Sequence, residues 1–332
     1  MLKPWAIYAD IGGTNSRFAL QMDKTAPLEH IKIYASSDFN EPSDAILRYL
    51  HEQDLAAPEH IAIAIACPIT GDALKMTNIH WNFSIAATKA KVKVDSLYFL
   101  NDFEALVLSL PDLKENEIIQ VGTGVAAKHG VMGLIGPGTG VGVASIVHAG
   151  ESYQALPCEG GHGLYPPQDF EELEIIKFLM RPKADHAACT VVSIEDLLSG
   201  SRGIGNLIKA MASIHAVSVP NWSPKELVAH ALIQKQPFAI SVLARYCAIL
   251  GNAAGNVALT VGATGGMYIG GGIVPRLGQF FVDSAFRACF ENKDIATYYV
   301  KAIPTFMICA QYPALLGAQS ALKNILKINN IN

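Results

Sequence analysis

The chain has no C-x-x-C pair among its 6 cysteines, Cys67, Cys158, Cys189, Cys247, Cys289 and Cys309. That scatter excludes a zinc-ribbon framework and a dense disulfide scaffold, and it fits reduced thiols in a cytoplasm. A basic excess is also missing: 25 Lys and Arg stand against 29 Asp and Glu, a net charge of −4. Such a balance leaves no electrostatic footprint for nucleic acid, so no nucleic-acid partner is expected. Low-complexity tracts are absent, and only 16% of residues are charged while 51% are hydrophobic. That composition belongs to a chain burying a large core, and 332 residues leave room for about two domains.

A membrane span is not expected either, although Tyr246 to Val274 carries no charged residue. Eight glycines, with Asn252 and Asn256, interrupt that run, so it reads as a buried helix followed by a buried strand. Gly251 and Gly255, in G-x-x-x-G spacing, then permit a second helix to pack closely in a soluble core. At the N-terminus the apolar run is broken by Asp10, which argues against a secretory leader.

What the chain does contain is a pair of glycine–threonine turns. Trp5-Ala6-Ile7-Tyr8 and Phe18-Ala19-Leu20 read as strands around Asp10-Ile11-Gly12-Gly13-Thr14-Asn15. Exposed N–H groups and hydroxyls in such a turn suit an anionic oxygen such as a phosphate. Asp10 cannot itself bind phosphate; its carboxylate suits a hydrated Mg²⁺ held against one. From Val131 the pattern returns, with strand Met132–Ile135, turn Gly136-Pro137-Gly138-Thr139-Gly140 and strand Val141–Val147. One such turn is equally an ordinary polar hairpin tip. Two, one per half of the chain, suggest two similar domains sharing a phosphate chain.

Leu97–Leu100 reads as a strand ending at Asn101-Asp102, with a helix from Phe103 to Leu110. Strand, polar pair, helix is the unit of a parallel α/β sheet, where ligands bind beyond the carboxyl ends of strands. Asp102 there is placed for catalysis or caps the helix, and spacing leaves both readings open. Met76 to Ser84, rich in amides and aromatics, reads as a loop suited to a polar ring-shaped ligand or as ordered surface. Cys158-Glu159-Gly160-Gly161-His162-Gly163 holds too many glycines for a metal-binding helix. It reads as a loop offering a carboxylate and an imidazole to hydroxyls, or as a glycine turn with incidental polar residues. Glu195 falls in a first helical turn opened by Ser193 and Asp196 in capping-box-like spacing, an ordinary place for an acidic residue. Gly270-Gly271-Gly272-Ile273, after strand Met267–Ile269, would let a nucleobase lie against bare backbone.

Taken together these stretches resemble the bacterial glucokinase family, within the hexokinase–actin–sugar kinase ATPase superfamily. Asp10 to Asn15 is similar to the family's first phosphate motif, Gly136 to Gly140 to its second, and Gly270 to Arg276 to its adenosine motif. Leu100-Asn101-Asp102-Phe103 resembles the catalytic segment, and Cys158 to His162 the sugar-binding segment, with Cys158 where the family usually has glycine. The resemblance implies an α/β chain of two actin-like ATPase (ribonuclease H-like) domains facing a cleft. The smaller would be 1–110 rejoined by 303–332, and the larger 111–302. It implies ATP-dependent phosphorylation of the 6-hydroxyl of glucose, Mg²⁺ bound mainly through the ATP phosphates, and a homodimer. By it Asp102 is the base, and Asn78, Asn101, Asp102, Glu159, His162 and Glu195 hold the sugar. Asp10, Gly12, Gly13, Thr14, Asn15, Gly138, Thr139, Gly140, Gly271, Gly272 and Ile273 would hold the nucleotide. The cysteine-rich motif of the related repressor and open-reading-frame kinase group is absent, so no structural zinc is expected.

Three rival readings share this fold: a kinase for mannose, glucosamine or fructose, a sugar-responsive repressor, and a non-catalytic sensor. The repressor would need an added helix-turn-helix, whereas the chain opens on its first strand. Asp102 together with both phosphate turns argues against the sensor.

The expected parts are split. Gly12–Thr14 and Asn101–Asp102 fall in the first domain, and Gly138–Gly140, Glu159 and His162 in the second. Closure on sugar follows, with hinges near Leu110-Pro111 and Ile303-Pro304. Small-angle X-ray scattering should give a smaller radius of gyration at saturating glucose. An unchanged curve, with binding confirmed separately, would defeat that expectation.

Overall fold

The computed structural model describes residues 2–76, 79–181, 189–218 and 221–329. The chain divides into two units, Met1–Leu113 with Ala149–Ala155 and Ala310–Asn332, and Lys114–His148 with Leu156–Cys309.

The first unit holds β1 (Ala6–Ile11), β2 (Asn15–Gln21), β3 (Glu29–Ala35), β4 (His60–Ile65), β5 (Ala73–Lys75), β6 (Asn82–Ser84) and β7 (Ser96–Asn101). Its five-stranded sheet runs in the order β3-β2-β1-β4-β7. β1 pairs antiparallel with β2 and parallel with β4, which pairs parallel with β7. Ile61 to Ile65 of β4 have no exposed surface, which is why that strand is a continuous apolar run instead of an alternating one. Helix Pro42–Glu52 buries Ala45, Ile46, Tyr49 and Leu50, and Tyr49 stacks on Phe18 of β2 at 5.3 Å. The C-terminal helix Pro313–Asn329 packs on helix Asp102–Leu108.

The segment expected as a loop, Met76 to Ser84, is in part a hairpin. Asn82–Ser84 pairs antiparallel with Ala73–Lys75, and Trp81 is buried with its Nε1–H donated to the Phe39 carbonyl at 2.9 Å. Burying the indole outweighs exposing it for a ligand. Thr77 and Asn78 lie outside the described residues.

The second unit is built on β8 (Ile118–Val121), β9 (Met132–Pro137), β10 (Val141–Ala149), β11 (Ser152–Cys158), β12 (Gly266–Ile269) and β13 (Thr305–Ile308). Their sheet order is β11-β10-β9-β12-β13-β8. Helix Pro237–Val261 is long and apolar enough to cross a membrane, yet 72% of its most apolar window is buried inside the protein. It is the core helix expected from the uncharged run, and it continues to Val261. A Cβ on Gly251 would stand 2.1 Å from the Phe286 carbonyl oxygen, and one on Gly255 2.6 Å from that of Phe290. The glycine spacing therefore seats helix Phe286–Glu291 directly against backbone.

The chain returns to the first unit at Ala310, not at 303. The cause is β13, which pairs parallel with β12 and antiparallel with β8 and so belongs to the second sheet. The chain crosses between the units after Leu113, close to the expected Leu110-Pro111, and after Cys309, with a further excursion at Ala149–Ala155.

Gly317 tests the packing of the first unit. A Cβ there would lie 1.6 Å from the Ala105 carbonyl oxygen. In an exposed helix Gly→Ala gains up to about 1 kcal/mol. Here Gly317→Ala should instead cost about 1–3 kcal/mol or more through overpacking, read as a lower urea midpoint.

Candidate active site

In each glycine turn several carbonyl oxygens are already engaged. In the first, Gly12 N–H donates to the Asn15 carbonyl at 2.9 Å. Ser36, at the end of β3, donates its hydroxyl to the Gly12 carbonyl at 2.7 Å and its N–H to that of Thr14 at 3.0 Å. In the second, Gly138 N–H donates to the Gly140 carbonyl at 2.8 Å. Gly200 N–H reaches the Gly138 carbonyl at 2.8 Å, and Ser201 N–H that of Thr139 at 3.1 Å. With lone pairs occupied, such turns can turn amides and hydroxyls to an anion without repelling it. Thr14 and Thr139 are both exposed. The donor chemistry therefore fits a phosphate at either turn.

Gly271 has φ +80°, and a Cβ there would fall 2.2 Å from the Pro137 carbonyl oxygen, so the 270–273 segment lies against the end of β9. At Gly272 a Cβ would meet nothing nearer than the Arg276 Nη1 at 3.9 Å, which leaves bare backbone there. Ile273 is buried, packed near Gly200.

In the first unit, β4 separates the ends of β1 and β7, with Asp10 level with Ala64 and Ala64 level with Leu100. That spacing sets the two strand ends roughly 10 Å apart. Asp10 is paired with Arg17 at 2.7 Å. Burial nevertheless pushes its carboxyl above the usual range, against the pull of Arg17. Asn101, not Asp102, is the N-cap of helix Asp102–Leu108. Asn101 Oδ1 accepts the N–H groups of Phe103 at 2.9 Å and Glu104 at 3.4 Å, and its Nδ2 reaches the Cys67 carbonyl at 3.4 Å. Asp102 also accepts Phe103 N–H, at 3.0 Å. Burial, reinforced by the negative charge of Asp10, raises the Asp102 carboxyl to about 6 despite that donor.

In the second unit the structure brings Glu159, His162 and Glu195 together. His162 Nε2 stands 3.9 Å from a carboxylate oxygen of each. Glu159 and His162 are exposed, whereas the Glu195 side chain is only 19% so. Gly161 explains the loop's seat, since a Cβ there would fall 1.9 Å from the Val141 carbonyl of β10. Cys158 donates its thiol to the Val143 carbonyl at 3.3 Å, again against β10. Asp196 performs the capping that made Glu195 look ordinary. Its Oδ2 accepts Ser193 N–H at 2.9 Å and the Ser193 hydroxyl at 2.7 Å, leaving Glu195 free of that duty.

Sequence reasoning passed over Ser36, Gly200, Ser201 and Arg202. Arg202 Nη2 lies 3.0 Å from Asp196 and 3.8 Å from Glu195. The only signal was the run Ser199-Gly200-Ser201-Arg202-Gly203, whose partner turn is distant in sequence.

The mixed α/β units and their glycine turns define a two-domain actin-like ATPase fold of the kind found in sugar kinases. A glucokinase family model matches residues 7–325, and the chain belongs to that family. It is 39% identical over 323 residues to the glucokinase of Neisseria meningitidis serogroup C, covering 97% of this chain and 95% of that protein. It is 42% identical over 319 residues to the bifunctional protein glk of Paraburkholderia xenovorans, covering 95% of this chain and 48% of the other. The chain thus spans about half the length of the first curated relatives it matches. A crystal structure of glucokinase from an Antarctic psychrotroph superposes with TM-score 0.85 at 31% identity, covering 96% of this chain and 98% of that one. The glucokinase of Balamuthia mandrillaris in complex with glucose shares the fold, with TM-score 0.72 at 18% identity over 96% of this chain and 93% of that one.

The raised Asp102 carboxyl has a stability consequence. A folded-state value of about 6 means that the fold holds this proton more tightly than the unfolded chain does. The ionised carboxylate is therefore a destabilising group above that pH, and the penalty fades as pH falls through it. Asp102→Asn should melt higher than the parent at about pH 8, and the gain should vanish at about pH 4. Thermal melts across that range would show it.

Proposed function

We propose that this chain transfers a phosphoryl group from ATP to the 6-hydroxyl of glucose, giving glucose 6-phosphate. Asp102 is the residue that takes the hydroxyl proton. One observation carries the assignment: Asn101 takes both helix-start amides, so the half-buried carboxylate beside it, which shares the Phe103 N–H, is not needed as the cap and stands at the end of β7. A base titrating near 6 is mostly ionised at neutral pH yet still accepts a proton readily, as general-base catalysis requires. Family membership supports the same reading.

Phosphoryl transfer asks a protein chiefly for positioning and charge stabilisation. In this reading the 12–15 and 138–140 turns hold the phosphates, and Gly271, Gly272 and Ile273 lie along the nucleoside. Glu159, His162 and Glu195 accept from and donate to sugar hydroxyls, with the Asn101 amide and Asn78 added by resemblance to the family. A site built to pair a hydroxyl rejects an analogue lacking it by roughly 10⁴–10⁵-fold. Mg²⁺ would be held mainly by the phosphates, with Asp10 beside its hydration shell, and would neutralise phosphate charge. The half-buried Asp102 carboxylate, repelled by that of Asp10, is a setting in which a cation is favoured. A cytoplasmic home and a homodimer complete the proposal. Six free thiols support the first, and the family resemblance supports the second.

A coupled assay of ATP consumption against a panel of hexoses tests this, with glucose expected to be turned over best. Asp102→Asn should cut kcat by about 10²–10⁴-fold while glucose still binds. The parent's kcat/KM should fall with unit slope below pH about 6. Near-native turnover in Asp102→Asn would remove Asp102 from the role, and a parent inert with every hexose would sink the reading.

A further inference from the structure

Glu195 stands in an electrostatically awkward place. Its Oε2 is 3.5 Å from the Val141 amide nitrogen, and a Cβ on Gly140 would sit 3.2 Å from that same oxygen. A carboxylate thus touches the turn that, in the reading above, receives phosphate. Two anions so close repel strongly unless a cation stands beside them.

We propose that Arg202 is that cation, a positioning residue whose fixed charge lets the sugar-facing Glu195 adjoin the phosphate-facing turn. This inference rests on the proposed kinase reading. Three features place the guanidinium independently of Glu195. The backbone before it is fastened to the turn, through Gly200 N–H to Gly138 and Ser201 N–H to Thr139. The backbone after it is pressed onto the Glu195–Leu198 helix, because a Cβ on Gly203 would lie 2.8 Å from the Glu195 carbonyl oxygen. The side chain is anchored by Asp196 at 3.0 Å, and Asp196 is itself buried and held by two donors of Ser193. From that anchorage Arg202 Nη2 lies 3.8 Å from Glu195 Oε1, on the carboxylate oxygen not facing the turn. Arginine keeps its charge at any working pH, so the compensation is permanent.

Ser193, Asp196, Arg202 and Glu195 thus form a relay of position, from a helix start to the phosphate turn. Asp196 holds Arg202, and Arg202 offsets part of the Glu195 charge. The Arg202 side chain is 55% exposed, and exposed ion pairs add little to stability. Its removal should therefore leave the fold intact.

The test measures binding of a non-hydrolysable ATP analogue with Mg²⁺ to the full chain by calorimetry, without sugar. Arg202→Ala should weaken binding by roughly 10- to 100-fold, as for a lost charge-assisted interaction. Adding Glu195→Gln should bring binding back to within about threefold of the parent, because the uncompensated charge is gone. Melting curves should show all variants folded. Unchanged binding in Arg202→Ala overturns the proposal. So does a double variant as weak as the single one, which would mean that Arg202 acts on phosphate directly. Failure of the kinase reading would look different, as a parent that neither binds the analogue nor turns over a hexose.

Discussion

A hairpin turn can face a phosphate only if its own carbonyl oxygens are turned to other donors. Both glycine turns go most of the way to meeting that constraint, each with a segment from elsewhere in the chain. Ser36 closes off the first, from the far end of β3. Gly200 and Ser201 close off the second, across sixty residues of intervening chain. An unengaged carbonyl would present a lone pair to an anion, so the turns depend on the sheets that bring these partners up.

A second regularity concerns paired polar residues. At Asn101-Asp102 and at Glu195-Asp196, one member satisfies backbone or side-chain donors at a helix start and its neighbour is left available. Asn101 takes the amides of Phe103 and Glu104, and Asp196 takes the donors of Ser193. The helix ends would otherwise claim the functional carboxylates themselves. Asp102 pays for its availability in burial beside a like charge, and the fold carries that penalty at neutral pH. Such a cost is common where a group must stay reactive.

Much of the site was legible in the chain because its signals are local. A glycine–threonine turn between two apolar runs, an Asn-Asp pair closing a strand, and three glycines after a strand each declare their backbone geometry within a few residues. The G-x-x-x-G spacing in helix Pro237–Val261 announced a close helix neighbour in the same way, though not that the neighbour is Phe286–Glu291. Glu195 was the exception among the expected site residues, since a first helical turn accounts for an acidic residue without any ligand.

By itself, then, the sequence determined the strands that flank the two glycine turns, the turns themselves, the uncharged core helix and the candidate side chains, because periodicity, glycine and capping chemistry act over short stretches. Only the tertiary structure decided which of two adjacent residues caps a helix, and that Trp81 turns into the core. It alone set the return crossing at Ala310, since β13 chooses its sheet by pairing with β8 and β12. The gathering of Glu159, His162, Glu195 and Arg202 was likewise its work. Those outcomes depend on which distant backbone groups and charges come within a few ångströms, and no local pattern encodes that.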